Sequence, residues 1–318
     1  MTPVRLHTAT RTQPATLALK DGRITPEPFV FELEEVEPIT RAFRRMVREN
    51  AYDVCELAVT TYLAAKEHGK PFTALPIFLV RGFHHGAILV NRKAGIRTPK
   101  DLEGRRVGVN RGYTVTTGVW ARGILADEYG VELGRVTWVL SGDEHVAEYR
   151  PPANVVPAGE GEDLGELLAS GELVAAIGVA VDHPDVVPLI PDAAEAGFEA
   201  LRSRGHYPIN HVVVVRDELL AANPGLAAAV FGAFERAKDL YVDEGNLEPL
   251  HRRVAEITGR DPLPYGVEPN RAALDELIRH ALEQGILADP PDLERLFASS
   301  RPCAEGRTSP ASEGALCS

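Results

Sequence analysis

From residue 4 to residue 179 short apolar runs of strand length alternate with helix-period segments, and this alternation restricts the fold more than any other feature of the chain. VRLHTAT (4–10) and FVFELEE (29–35) read as strands, with a turn at Asp21-Gly22 inside LKDGRI (19–24). PITRAFRRMVREN (38–50) sets Ile39, Phe43, Met46 and Val47 at helical spacing behind a proline. YDVCEL (52–57) and FTALPIFLV (72–80) are continuous apolar runs typical of buried strands, and TYLAAKEHG (61–69) between them is a helix ending at glycine. Strand–helix–strand repetition predicts βαβ units and a mainly parallel sheet, because parallel neighbours need a crossover helix between them.

A second set begins at GAILVNRKAG (86–95). TPKDLEGRRVGV (98–109) reads as a short helix leading into a strand, RGYTVTTGVWARGIL (111–125) as the next helix and VTWVL (136–140) as a strand. LGELLASGELVAAIGV (164–179) is helix, glycine stop and strand. The stretch 141–164 between them is rich in Gly, Pro and charge; a loop that long within a compact domain tends to carry function. YPINHVVVVRDELL (207–220) is a strand, followed by helices over 224–243, 247–258, 270–284 and 291–298. Residues 300–318 are small and polar and read as a disordered tail. The whole predicts an α/β protein of two lobes, 1–90 with 212–299 and 91–211, joined by two crossover strands. The C-terminal helices would return to the first lobe, and the cleft between lobes is the natural ligand site.

Composition narrows the partners. The 318 residues carry 34 Lys and Arg against 46 Asp and Glu, a formal net charge of −12 with no basic run, which argues against nucleic acid. No run reaches the roughly 18 apolar residues of a membrane span, so no membrane association is expected. The opening MTPVRLHTATRTQPATLAL lacks the apolar core of a secretory signal, which predicts a cytoplasmic protein. Cys55, Cys303 and Cys317 form no CxxC pair and no disulfide framework. A homo-oligomer stays open.

Five places could carry chemistry. In RGYTVTTG, Tyr113, Thr116 and Thr117 stand where a helix begins behind a strand, a setting that suits either a plain N-cap or a carboxylate ligand; Trp120, one turn on, is either a wall of that site or core. Glu56 lies in an apolar run at a strand's carboxyl end, where it either caps the next helix and points at solvent, or serves the cleft by pairing with a cation or rising in pKa. Arg81, His84 and His85 cluster at the first lobe crossing; Arg suits a carboxylate and His suits proton transfer, while adjacent histidines point opposite ways, so at most one faces the cleft. Metal ligation by the pair lacks the further ligands it needs. On the 141–164 loop Glu144, His145, Glu148 and Arg150 are solvated charges or ligand contacts, and His211 at a strand entrance is a core residue or an acid.

Six segments in order, YDVCEL, LPIF…R.F.H..I.VN, I..P.DL.G.RVGV, VWARGIL.DEYGV, YPINHVVVVRDELLAANP and YG.EPNR…HALEQGI, resemble the 4,5-dihydroxyphthalate decarboxylases and relatives described as substrate-binding-protein-like. The resemblance runs from about residue 4 to Phe297. It implies a type 2 periplasmic-binding-protein-like fold, a small anionic aromatic substrate and a decarboxylase that needs no cofactor. Glu56, Arg81, His85, Trp120 and His211 match positions typical of those enzymes. For a decarboxylase the expected roles are His85 or His211 as general acid, Glu56 orienting it or accepting a phenol proton, and Arg81 and the Thr116–Thr117 helix start as carboxylate holders; Trp120, and from their own positions Tyr113, His145 and Arg150, are expected as further substrate contacts. The chain departs from the family where PEYQMTA becomes NRGYTVTTG, where FRHS becomes FHHG, in the 141–164 loop and in GVAVDHPDV (178–186), which leaves substrate identity less constrained than fold. The competing expectations are a solute receptor or sensor for a small carboxylate without catalysis, and another enzyme on the same fold resembling chorismate dehydratase.

Overall fold

The computed structural model describes residues 3–299. The tail read as disordered, with Cys303 and Cys317, lies outside the described residues. Eleven strands among the described residues form two sheets. The first contains β1 (Arg5–Ala9), β2 (Val30–Glu34), β3 (Val54–Ala58), β4 (Phe72–Arg81) and β11 (Ile209–Arg216), in the order β2-β1-β3-β11-β4. Its β1–β2 and β1–β3 pairs are parallel, whereas β11 enters between β3 and β4 antiparallel to both. The second holds β5 (Ile88–Asn91), β6 (Arg106–Val109), β7 (Thr137–Leu140), β8 (Val155–Pro157), β9 (Ala175–Ile177) and β10 (Val186–Pro188), in the order β10-β5-β9-β6-β7-β8.

The helices are α1 (Leu17–Lys20), α2 (Thr40–Glu49), α3 (Val59–Glu67), α4 (Thr116–Tyr129), α5 (Leu164–Ser170), α6 (Ala193–Arg204), α7 (Asp217–Ala222), α8 (Leu226–Asp243), α9 (Pro249–Thr258), α10 (Arg271–Glu283) and α11 (Leu293–Leu296). The apolar runs behave as their composition dictates. All five residues of β3 are buried, as a central strand covered on both faces requires, and α2 turns Ala42, Phe43, Met46 and Val47 inward while its arginines face out. Helix α4 stops where Gly130 takes a left-handed φ of 65°.

The chain crosses from the first sheet to the second through residues 82–87 and returns through 205–208; β5 lies wholly in the second sheet and β11 wholly in the first. The C-terminal helices do not all return to the first sheet. Helix α8 packs on β4 and α1, but α9 packs against α6 and α10 against α4. The 141–164 loop contributes β8 to the second sheet, and the segment before β11 supplies β10 and α6, which the sequence reading leaves without structure. No described helix is long and apolar enough to cross a membrane.

Candidate active site

The register of β3 and β11 builds the centre of the site. His211 stands opposite Ala58 and Val213 opposite Glu56, so His211 and Glu56 are diagonal neighbours on one face of the first sheet. The His211 Nδ1 lies 2.6 Å from Glu56 Oε1. The other carboxylate oxygen of Glu56 accepts Thr10 Oγ1 at 2.9 Å and the Arg11 backbone N–H at 3.0 Å, both from the loop leaving the parallel neighbour β1. Glu56 is fully buried. Burial pushes its carboxyl up, but the His211 bond, the His211 and Arg11 charges and the Arg11 N–H outweigh that and hold it below its ordinary value. The carboxylate therefore persists, fixes Nδ1 as the protonated nitrogen and leaves Nε2 for whatever occupies the cavity. Phe43 of α2 stands edge-on to the imidazole, ring centroids 5.1 Å apart, and fixes its plane.

His211 lines a small cavity with Phe43, Thr61, Arg111, Thr116, Thr117 and His145. It lies beyond the carboxyl ends of parallel strands in both sheets, β1 and β3 on one side and β6 on the other, the position at which open α/β sheets bind ligands. Arg111 follows β6 in a left-handed conformation with φ 69°, a strained setting for a side chain of this kind. His145 is buried, and desolvation together with the nearby Arg44 and Arg111 charges lowers it to about 4, so it is a neutral imidazole at physiological pH. Its Nδ1 has no hydrogen-bond partner among the described residues.

The Thr-rich stretch divides its work. Glu144, read from sequence as a solvated loop charge, folds its carboxylate onto the turn before α4. It accepts the Tyr113 N–H, the Thr114 N–H at 3.2 Å and the Thr114 hydroxyl at 2.6 Å. Gly112 is required for this approach, because a Cβ there would sit 2.6 Å from that carboxylate. The anion that the turn holds is thus one of the protein's own. The N-cap of α4 is Val115 rather than a threonine, and Thr116 Oγ1 shares a 2.7 Å hydrogen bond with Thr60 Oγ1 of α3 across the cleft. Only the first turn of α4, with Thr117 and its unpaired N–H groups, remains for a ligand.

The cavity encloses about 60 Å³. That is well below the roughly 300–1,000 Å³ of small-molecule sites and too little for a ring bearing carboxylates. A ligand of that size needs more room than this arrangement of the cavity walls leaves. Beside the cavity, Arg44 and Arg48 of α2 bind Asp143 at 2.5 and 2.9 Å, and Arg48 also donates to the Glu144 carbonyl at 2.7 Å; farther along, Lys70 meets Glu148 at 2.8 Å. These contacts are largely exposed, so each is worth little beside the buried Thr60–Thr116 and Trp120–Ile209 bonds that also join the two sides.

Of the residues singled out from sequence, Glu56, His211, Thr116, Thr117 and His145 gather here, and His84, His85, Trp120, Tyr113, Arg150 and Arg81 do not. His85 is fully buried in a turn after β4, its Nε2 3.1 Å from both oxygens of Glu128, and it does not reach the cavity. His84 bonds Asn210 at 2.8 Å, so neither member of the pair faces the cavity. Trp120 is core: its indole donates to the Ile209 carbonyl at 2.9 Å and ties α4 to β11. Tyr113 is buried beneath the guanidinium of Arg122, 3.8 Å above its ring. Arg150 turns back onto the Ala147 and Tyr149 carbonyls. Arg81 points into a different cavity behind β4. The cation lining the site is Arg111, which the sequence does not single out; an Asn-Arg-Gly turn directly after a strand is the available signal. Among the described residues Asp127, Glu276 and His280 could approach a metal ion, but Arg279 and Arg204 already pair with the two carboxylates.

No family model matches the chain. It is 31% identical over 282 residues, 81% of this chain and 84% of the relative, to a protein of Comamonas testosteroni described as 4,5-dihydroxyphthalate decarboxylase. A Pseudomonas putida protein of the same description is 35% identical over 188 residues, 55% of this chain and 71% of the relative. Among solved structures, a Candida albicans protein described as having the generic periplasmic binding protein fold matches with a TM-score of 0.54 at 14% identity, covering 97% of this chain and 100% of that one. The two-sheet α/β architecture is that of the periplasmic binding proteins.

Proposed function

The chain belongs to the 4,5-dihydroxyphthalate decarboxylase family, and from that premise we propose that it is a carboxy-lyase converting a hydroxylated aromatic diacid into the monoacid and CO2. The observation that carries the reading is the buried Glu56 carboxylate holding His211 Nδ1 at 2.6 Å beside the cavity. A receptor needs a cradle for its ligand but no oriented imidazole, whereas carbon protonation needs both. We place the activity in the cytoplasm, as a step in aromatic-acid degradation.

A hydroxyl para to the departing carboxylate pushes electron density to the ipso carbon, which takes a proton from His211 Nε2. The ring is then no longer aromatic; the carbon–carboxylate bond breaks, its electron pair returns to the ring, and CO2 leaves. Glu56 stabilises the imidazolium before the transfer, and closure of the lobes excludes the water that would otherwise screen these charges. In this reading Arg111 and the first turn of α4 hold the second carboxylate, with Thr117 beside them. His145, neutral and with a free Nδ1, faces the ring hydroxyls. The scheme balances with one proton in and one CO2 out.

Incubation of the purified protein with 4,5-dihydroxyphthalate and a panel of phthalic and hydroxybenzoic acids tests the reading through CO2 release. Turnover of any member supports it. Tight binding of a member without CO2 from any of them favours a solute receptor on the same fold. Arg111→Gln separates binding from chemistry. Loss of a charge-assisted hydrogen bond worth about 1.5–3 kcal/mol is expected to raise KM roughly 10- to 100-fold with kcat within a few-fold of wild type. An unchanged KM would remove Arg111 from the substrate site.

A further inference from the structure

Arg81 lines a second cavity, of about 730 Å³, on the far side of the lobe crossings from the His211 site. That volume falls in the range of small-molecule sites, roughly 300–1,000 Å³. Its walls include Leu201 of α6, Val254 and Ile257 of α9, Pro264 and Pro269. The charged groups on it are Arg81, Arg202, Lys238 and Arg260 with Glu235 and Asp261; Arg202 pairs with Glu195 and Glu199, and Lys238 with Asp239. Asp261 is already engaged by Lys238 at 2.6 Å.

Arg81 is the unusual member. Its side chain is buried, yet no carboxylate lies within ion-pair distance of it among the described residues. It donates to Asn270 Oδ1 at 2.6 Å and to the Tyr207 carbonyl, and its guanidinium lies 4.2 Å from the centre of the Tyr207 ring. Desolvation lowers it to about 10, so it is still a cation at neutral pH. The Arg81 Nε and the hydroxyls of Tyr207 and Tyr265, residues that line the same cavity, are buried and have no hydrogen-bond partners among the described residues. A buried cation whose hydrogen-bond partners are all neutral, with Asp261 acting on it only from beyond ion-pair distance and two unsatisfied hydroxyls beside it, is costly unless a closer anion completes it.

We propose that this cavity is a second ligand site, taking a small monocarboxylate with an apolar body, whose carboxylate supplies the counter-ion that Arg81 lacks and whose body lies on the apolar wall. The inference does not depend on the reaction in the cleft. Its position gives it reach: Arg81 ends β4 where residues 82–87 cross, and Tyr207 lies in the returning segment 205–208. A ligand between them touches both crossings, so its occupancy biases how readily the lobes part.

Benzoate, which has one carboxylate and an apolar ring, is the probe, titrated calorimetrically into the full chain. Saturable binding is expected in wild type and in the cleft double variant Arg111→Gln/His211→Asn. Ala272→Trp, placed at an exposed helix position that lines this cavity, and Arg81→Gln are each expected to weaken binding at least about tenfold. Ala272→Trp keeps the test decisive if Arg81→Gln fails to fold. The proposal is overturned if wild type binds no benzoate, or if binding survives Ala272→Trp and vanishes in the cleft double variant.

Discussion

Replacing His211 by asparagine is expected to lower kcat on the decarboxylated acid by about 10²- to 10⁴-fold, the usual contribution of a positioned proton donor, while KM moves little. Asparagine keeps a polar group that can still bond Glu56, so the buried carboxylate is not abandoned and the melting temperature should fall by only a few degrees. His85→Gln is the internal comparison. His85 is the other histidine that matches the family, but it is sealed against Glu128, so its loss should be read in stability and not in kcat. Full activity in His211→Asn, or a collapse of kcat in His85→Gln alone, would reverse the assignment.

The sequence made some of this legible and hid the rest for identifiable reasons. Glu56 was visible because a carboxylate inside an apolar strand must find a partner, and His211 because it opens a four-valine strand. Their pairing was not, since 155 residues separate them and only the antiparallel insertion of β11 beside β3 makes them neighbours. Arg81 and Arg111 each precede a glycine, Arg81 as the last residue of β4 and Arg111 two residues beyond β6. Which one faces the cleft depends on backbone detail: Arg81 turns behind β4 toward Tyr207, while Arg111 reaches the cavity from a left-handed turn. Glu144 looked like an ordinary loop charge because nothing local shows that Gly112 leaves room for its carboxylate. The fold was easier, because the alternation of period survives from residue to residue. What escaped it were the three-residue strands β8 and β10, each ending in proline, and α6, whose small residues and internal Gly197 weaken the helical signal.

Glu56→Gln is the second variant with a large expected effect, because it keeps the shape of the side chain and changes only its charge and its donors. The Gln oxygen can still accept from Thr10 and the Arg11 N–H, so its amide NH2 is the group turned toward His211. That NH2 donates to Nδ1, which forces the neutral ring into the other tautomer and leaves the imidazolium without a carboxylate. A fall in kcat of about 100-fold with KM within a few-fold is expected, and the Glu56→Gln/His211→Asn double variant should be little slower than His211→Asn alone, because the two act as one unit. A second readout is independent of catalysis. Glu56 is held below its ordinary value in the folded chain, so it stabilises the fold above the usual carboxylate range, and that contribution is lost as pH falls through the depressed value. Glu56→Gln cannot protonate, so its melting temperature should fall less steeply from pH 5 to pH 3 than that of wild type. Parallel acid-melting curves, or additive kinetic losses in the double variant, would mean that Glu56 supports the strand packing and does not act through His211.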